Sequence, residues 1–274
     1  MLAPTLFSSY LLLLPLLLTL TNAAPPSSPS KSLPHRTLAN ISVVDTPIVR
    51  AAEAYAKQHS PGSYNHVMRA WLFGCLHLSH NATLAAQVDL EVHAIGLMLH
   101  DLASDHPLAN AFVTRDRRFE VDSAAAAANF IRSHADAKRN WPGWRVQRVW
   151  DGIALHAEPR FALHKEPDVL AIYWGNELEF SWAAPGGGEQ KGVTRDEHEA
   201  VLRAFPRDEG RGAAASTGLL AFAAWYCRYK PESTYDMWMQ PYGELLVPGY
   251  SAAGHRLLDR ALAVAGVDVS TIGV

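Results

Sequence analysis

The chain has 274 residues, 49% of them apolar and 19% charged, which is enough for one well-buried domain. Its formal net charge of −3 lacks the basic excess of a phosphate-backbone binder, and this argues against a nucleic-acid partner. Two cysteines, Cys75 and Cys227, are too few for a disulfide framework and leave two free thiols and one long-range bridge equally open.

Residues 1–23 carry no charged side chain and include the leucine-rich run Tyr10–Leu20. Thr21-Asn22-Ala23-Ala24 follows with small residues suited to cleavage. The expectation is a signal peptide and a secreted product with no membrane attachment once cleaved. The sequons Asn40-Ile41-Ser42 and Asn81-Ala82-Thr83 fit a glycoprotein on that route. Residues 24–42 are rich in Pro and Ser without apolar periodicity, so they read as a flexible linker, with order beginning near Val43.

Helical signals then follow one another. Asp45-Thr46-Pro47 offers a cap and a first-turn proline, with Ile48, Ala51, Ala52 and Tyr55 at helical spacing. A second helix is expected from about Tyr64 to His80. After a turn at 81–84, the apolar stretch Asp89–Asp101 forms the next. Residues 107–120 are polar and irregular. Further helices are expected over 122–134, 144–156 and 167–178. Ala184–Gly192 is a surface loop, and Thr194 with Glu197 is a capping box for a short helix ending near Phe205. The nearly all-apolar run 213–229 reads as the central buried helix, and 251–265 as a closing amphipathic one. No alternating strand stands out. The fold class is therefore all-α: one helical domain over 43–265, with a short tail at 266–274.

Chemistry concentrates at His100-Asp101. An imidazole and a carboxylate side by side at a helix end suit zinc or iron. Thirteen histidines make chance His-Asp neighbours common, so the context matters. His66 opens the preceding long helix, and an antiparallel helix pair would bring it to His100-Asp101. Leu97-Met98-Leu99 makes the surroundings apolar, where an unpaired Asp would be costly. Glu179 supplies a carboxylate on a later helix, and Trp71, Trp150 and Trp174 are available to wall a pocket. His93 stands two helical turns, ~10 Å, from His100, too far to share its metal.

Several blocks together resemble the HD-domain metal-dependent hydrolases, specifically their cyanamide-hydratase-like branch. They are Tyr64-Asn65-His66 with Arg69 and Leu72-Phe73-Gly74, Leu99-His100-Asp101-Leu102, and Arg118-Phe119-Glu120-Val121-Asp122. Trp150–His156, His164-Lys165-Glu166-Pro167, Thr234-Tyr235-Asp236 and Val247-Pro248-Gly249-Tyr250 continue the series. The resemblance spans roughly residues 43–250. It implies an HD-type helical bundle holding one divalent metal ion, with zinc expected and iron the other candidate. The ligands it implies are His66, His100, Asp101 and, at the fourth position, Glu179 where the family normally has Asp. His156 is implied as the group that handles protons or contacts substrate. The reaction implied is hydration or hydrolysis of a small nitrogenous molecule, cyanamide to urea being the named case, by metal-activated water. Two other readings of the same scaffold are a nucleotide phosphohydrolase and a non-catalytic secreted binding protein, the latter suggested by Glu179 and by Ala157 after His156. The expected partner is a small-molecule substrate, and homo-oligomerisation is left open.

Overall fold

A computed structural model describes residues 33–104, 110–182, 184–186, 188–207 and 214–267. Among them are thirteen α-helices and one two-stranded sheet, so the all-α, single-domain expectation holds. The expected signal peptide, residues 24–32 of the linker and residues 268–274 of the tail lie outside the described residues. No described helix is long and apolar enough to cross a membrane.

The chain enters through a hairpin. Strands β1 (His35–Leu38) and β2 (Ile41–Val44) pair antiparallel, with His35 opposite Val44 and Leu38 opposite Ile41. Ala39 and Asn40 connect them with φ of 48° and 64°, the left-handed pair that a two-residue turn needs to match strand twist. Ile41, Val43 and Val44 are buried, and β2 packs on the second and fourth helices described next. The expected flexible linker thus needs correction at 35–42. Four-residue strands without an Asn-Gly turn give too short an alternation to read. Asn40 lies exposed at the hairpin tip.

The helices in order are α1 (Pro47–His59), α2 (Tyr64–Ser79), α3 (Ala82–Ala85) and α4 (Leu90–Leu99). They continue with α5 (Phe119–Ser133), α6 (Ala137–Asn140), α7 (Gly143–Leu155), α8 (Pro159–Ala162) and α9 (Pro167–Ser181). The last four are α10 (Arg195–Ala204), α11 (Ala214–Tyr229), α12 (Gln240–Leu246) and α13 (Leu257–Ala265). The expected turn at 81–84 contains α3, which Asn81 caps by accepting from Leu84 N at 3.1 Å. Thr194 and Glu197 form the capping box read from the sequence.

The core is built on α2, α4 and α9, with α1, α5 and α7 packed around them. Helix α4 is buried from Val92 to Leu99, which is why its sequence shows almost no polar face. Gly96 on α4 and Gly152 on α7 both lie directly against Ile172 of α9, and a Cβ at either would collide with that side chain. Three helices therefore approach at one point because two of them lack a side chain there. The starts of α4 and α7 are tied together by Arg145, which reaches Asp89 at 2.7 Å and Glu91 at 2.8 Å and lies over the Trp141 ring.

Helix α11 is not the central one. Of its described side chains only Ala223, Tyr226 and Cys227 are buried, in a second small cluster with Phe119, Met237 and Met239. Its apolar residues are shared between that cluster and the surface, and composition alone does not separate the two. The expected closing helix over 251–265 begins only at Leu257 and buries no residue. Cys75 and Cys227 are both free thiols.

One core group links the fold to pH. His93 is buried against Gly74 with its Nε2 unpartnered, and burial, reinforced by His77, pushes its pKa down to about 3. The unfolded chain takes up a proton near pH 6.5, whereas the folded chain refuses it until about pH 3. The stability linked to neutral His93 is therefore full above pH 6.5 and falls as pH drops through that window, by ~1.4 kcal/mol per pH unit. Urea unfolding of His93→Leu between pH 4 and 7 should show an acid limb shallower by close to one proton. An unchanged slope would contradict the assignment.

Candidate metal centre

The way two helices end sets this centre. His100 is the C-cap of α4, and its Nδ1–H donates to Leu97 O at 2.7 Å. His156 is the C-cap of α7, and its Nδ1–H donates to Ile153 O at 2.6 Å. A proton held on Nδ1 leaves Nε2 as a lone-pair donor, so each helix end presents an imidazole in the ligating or proton-accepting tautomer. The two rings are neighbours, with centroids 4.7 Å apart. Burial pushes the His100 pKa down to about 3, and it is neutral at physiological pH.

His66 stands in the first turn of α2, which packs against α4. Its Nε2 lies 3.1 Å from Nε2 of His100. Asp101 completes the group: one carboxylate oxygen is 3.7 Å from His66 Nε2 and the other is 3.7 Å from His100 Nε2. The Asp101 carbonyl accepts from Ser60 Oγ at 2.9 Å and Ser104 Oγ at 2.8 Å, which fixes the turn. Burial alone would favour the protonated acid at Asp101. Any proton taken up by the neighbouring His100, His66 and His156 rings, with the Ser104 hydroxyl, favours the ionised carboxylate and holds it below its ordinary range.

These three residues could hold a metal ion: one ligand atom from each lies within 4.8 Å of the others. With metal–ligand bonds of about 2.0–2.2 Å, adjacent donors stand about 3–3.6 Å apart, close to the separations observed. The Nε2 atoms of His66 and His100 face each other at 3.1 Å, a separation that suits a shared proton or a cation bound by both. The helix ends add to this. α4 and α7 direct their C-terminal carbonyl ends at the group, and α9 reaches it near its own C-terminus, at Glu179. Those partial negative charges favour a cation.

Glu179, expected as the fourth ligand, is brought to His66 but to the other ring nitrogen. Its Oε1 is 3.5 Å from His66 Nδ1 and 2.6 Å from Arg69 Nη2, and its Oε2 is 3.1 Å from Arg207 Nη2. It is not in the three-residue group. Burial would raise its pKa, yet His66 and Arg69 outweigh that and bring it down to about 2. Arg69 Nη1 also donates to the Phe205 and Pro206 carbonyls at 3.1 and 3.0 Å, so the chain after α10 is strapped beside the centre.

His156 is buried beside His100 and is not one of the three residues of that group. The tryptophans considered as pocket walls have these surroundings. Trp71 is fully buried, Trp174 faces His77 and Lys191, and Trp150 borders a surface groove with Ala125 and Asn129 of α5. The rings beside the centre are Phe180, 5.3 Å from His66, and Phe119, 5.7 Å from His156. Phe180 could have been suspected from its place next to Glu179. Arg207 carried no sequence signal, because its contact depends on how the chain after α10 returns to α9.

No family model matches this chain, and no curated protein matches it.

Purified protein should carry close to one equivalent of a divalent transition metal. His100→Ala and Asp101→Ala should each lose it while keeping the parental helical circular dichroism. Stoichiometric metal retained in both variants would remove the site.

Proposed function

We propose that the chain is an HD-type, metal-dependent hydratase or hydrolase of a small nitrogenous compound, cyanamide or a related nitrile being the representative substrate. The observation that carries this reading is the meeting of His66 Nε2, His100 Nε2 and the Asp101 carboxylate at 3.1–3.7 Å. A divalent cation held there supplies a Lewis acid that lowers the pKa of water and polarises a nitrile carbon.

The protein's own groups do the rest. Asp101 offsets part of the cation's charge. His156 Nε2, left with its lone pair by the Nδ1–H bond to Ile153, accepts the proton that water loses as its oxygen bonds to the nitrile carbon. The same nitrogen returns that proton to the nitrile nitrogen, whose triple bond to carbon becomes double. Tautomerisation then gives the amide-type product, urea from cyanamide. Phe119 and Phe180 place apolar rings beside His156 and His66.

The alternative on this scaffold, a nucleotide phosphohydrolase, calls for cationic side chains free to meet phosphate oxygens. Both guanidiniums beside the centre, Arg69 and Arg207, are engaged by Glu179. That favours the small, uncharged substrate.

Metal-loaded protein should convert cyanamide or a small nitrile to its hydrated product. His156→Ala should keep its metal while turnover falls ~10²–10⁴-fold, the usual loss for an acid–base group. Absence of turnover on cyanamide and on small nitriles by the loaded parent would end the hydratase reading.

A further inference from the structure

We propose that Glu179 is a positioning residue for His66 and not a metal ligand. The cation then has three protein ligands, with its remaining positions open to water and substrate. This rests on the metal-centre reading above.

The argument starts from the two edges of one imidazole. Nε2 of His66 faces His100 and Asp101, and Nδ1 faces Glu179. One ring cannot offer the same cation both nitrogens. A carboxylate on the Nδ1 edge therefore stands behind the ligand, not beside it. That is the carboxylate–histidine–metal arrangement, in which the acid takes the Nδ1–H, fixes the tautomer and raises the basicity of Nε2. At 3.5 Å the contact is long, and a small ring rotation on cation binding would shorten it.

The surroundings of Glu179 keep it there. It is almost fully buried, at 1% exposure. Arg69 grips Oε1 through Nε at 2.8 Å and Nη2 at 2.6 Å, and Arg207 Nη2 meets Oε2 at 3.1 Å and also bonds the Glu179 carbonyl. Moving the carboxylate to the Nε2 side would strip both guanidiniums of their counter-charge. Arg69 is itself buried at 5% exposure, where an uncompensated charge is strongly disfavoured. His66 and His100 thus have the same support in two forms: a carboxylate behind one Nδ1 and the Leu97 carbonyl behind the other.

The test is metal titration of Glu179→Gln beside the parent, with cobalt(II) as a spectroscopic probe. The variant should still bind one equivalent at saturation, with affinity weakened ~10–100-fold as for lost support of a ligand. Its cobalt ligand-field spectrum should match the parent's. A changed spectrum, or loss of the site in a folded variant, would make Glu179 a ligand and overturn the proposal. Unchanged affinity would overturn it too, leaving Glu179 only structural. If Glu179→Gln does not fold, the parent decides. With ¹¹³Cd and ¹⁵N-labelled histidine, cadmium coupling should appear at Nε2 of His66 and His100, with a proton retained on Nδ1 of His66. Coupling at Nδ1 of His66 would refute the assignment. A parent that binds no divalent cation refutes the metal-centre reading itself, whereas a metal-binding parent with an altered variant spectrum refutes only the role of Glu179.

Discussion

The candidate centre depends on how α4 and α7 end. In each, the last residue before the chain turns is a histidine whose Nδ1–H returns to the carbonyl three residues back. That bond satisfies one of the orphan carbonyls at a helix C-terminus and fixes the tautomer in the same act. It leaves Nε2 lone pairs at adjacent helix ends, where aligned peptide dipoles already favour positive charge. Gly96 and Gly152, which let Ile172 of α9 sit between the two helices, make the adjacency sterically feasible.

Around this pair charge is arranged in layers. The inner layer is His66, His100 and Asp101, with a single negative charge to meet a cation. Behind it Glu179 is balanced by Arg69 and Arg207, which also fasten 205–207 to α2 and α9. Further out, Glu120 is fully buried between Arg118 at 2.8 Å and Trp238 Nε1 at 3.0 Å, and Arg118 reaches Glu158 just after His156. Each buried carboxylate has a cationic or N–H partner, as the cost of burying charge requires. Phe119 rests on both His156 and Phe222 of α11. The second cluster thereby connects to the centre.

Much of this was legible in the sequence where local pattern and tertiary role agree. The helical class, the cap at Thr194, and the approach of His66 to His100-Asp101 all follow from periodicity plus one short connection between α2 and α4. The structure departs from the reading where a residue's role is set by something distant. The β1–β2 hairpin was hidden by its Pro- and Ser-rich neighbourhood and by strands of four residues. The apolar composition of α11 suggested centrality, yet the helix is half surface because the core was already closed by α2, α4 and α9. Glu179, expected as a fourth ligand, instead meets the Nδ1 edge of His66 and is not in the three-residue group. Which edge of His66 it meets depends on Arg69 and Arg207, and the latter arrives from a segment 28 residues further on.

A cation held by this group would lie between the Nε2 atoms of His66 and His100 and the Asp101 carboxylate. Anomalous diffraction from crystals of the protein soaked in zinc, recorded on both sides of the metal edge, addresses that directly. The account predicts a single strong anomalous peak about 2.0–2.2 Å from both Nε2 atoms and from an Asp101 oxygen. A peak bonded to Nδ1 of His66 or to Glu179, or no peak at these residues, would contradict it.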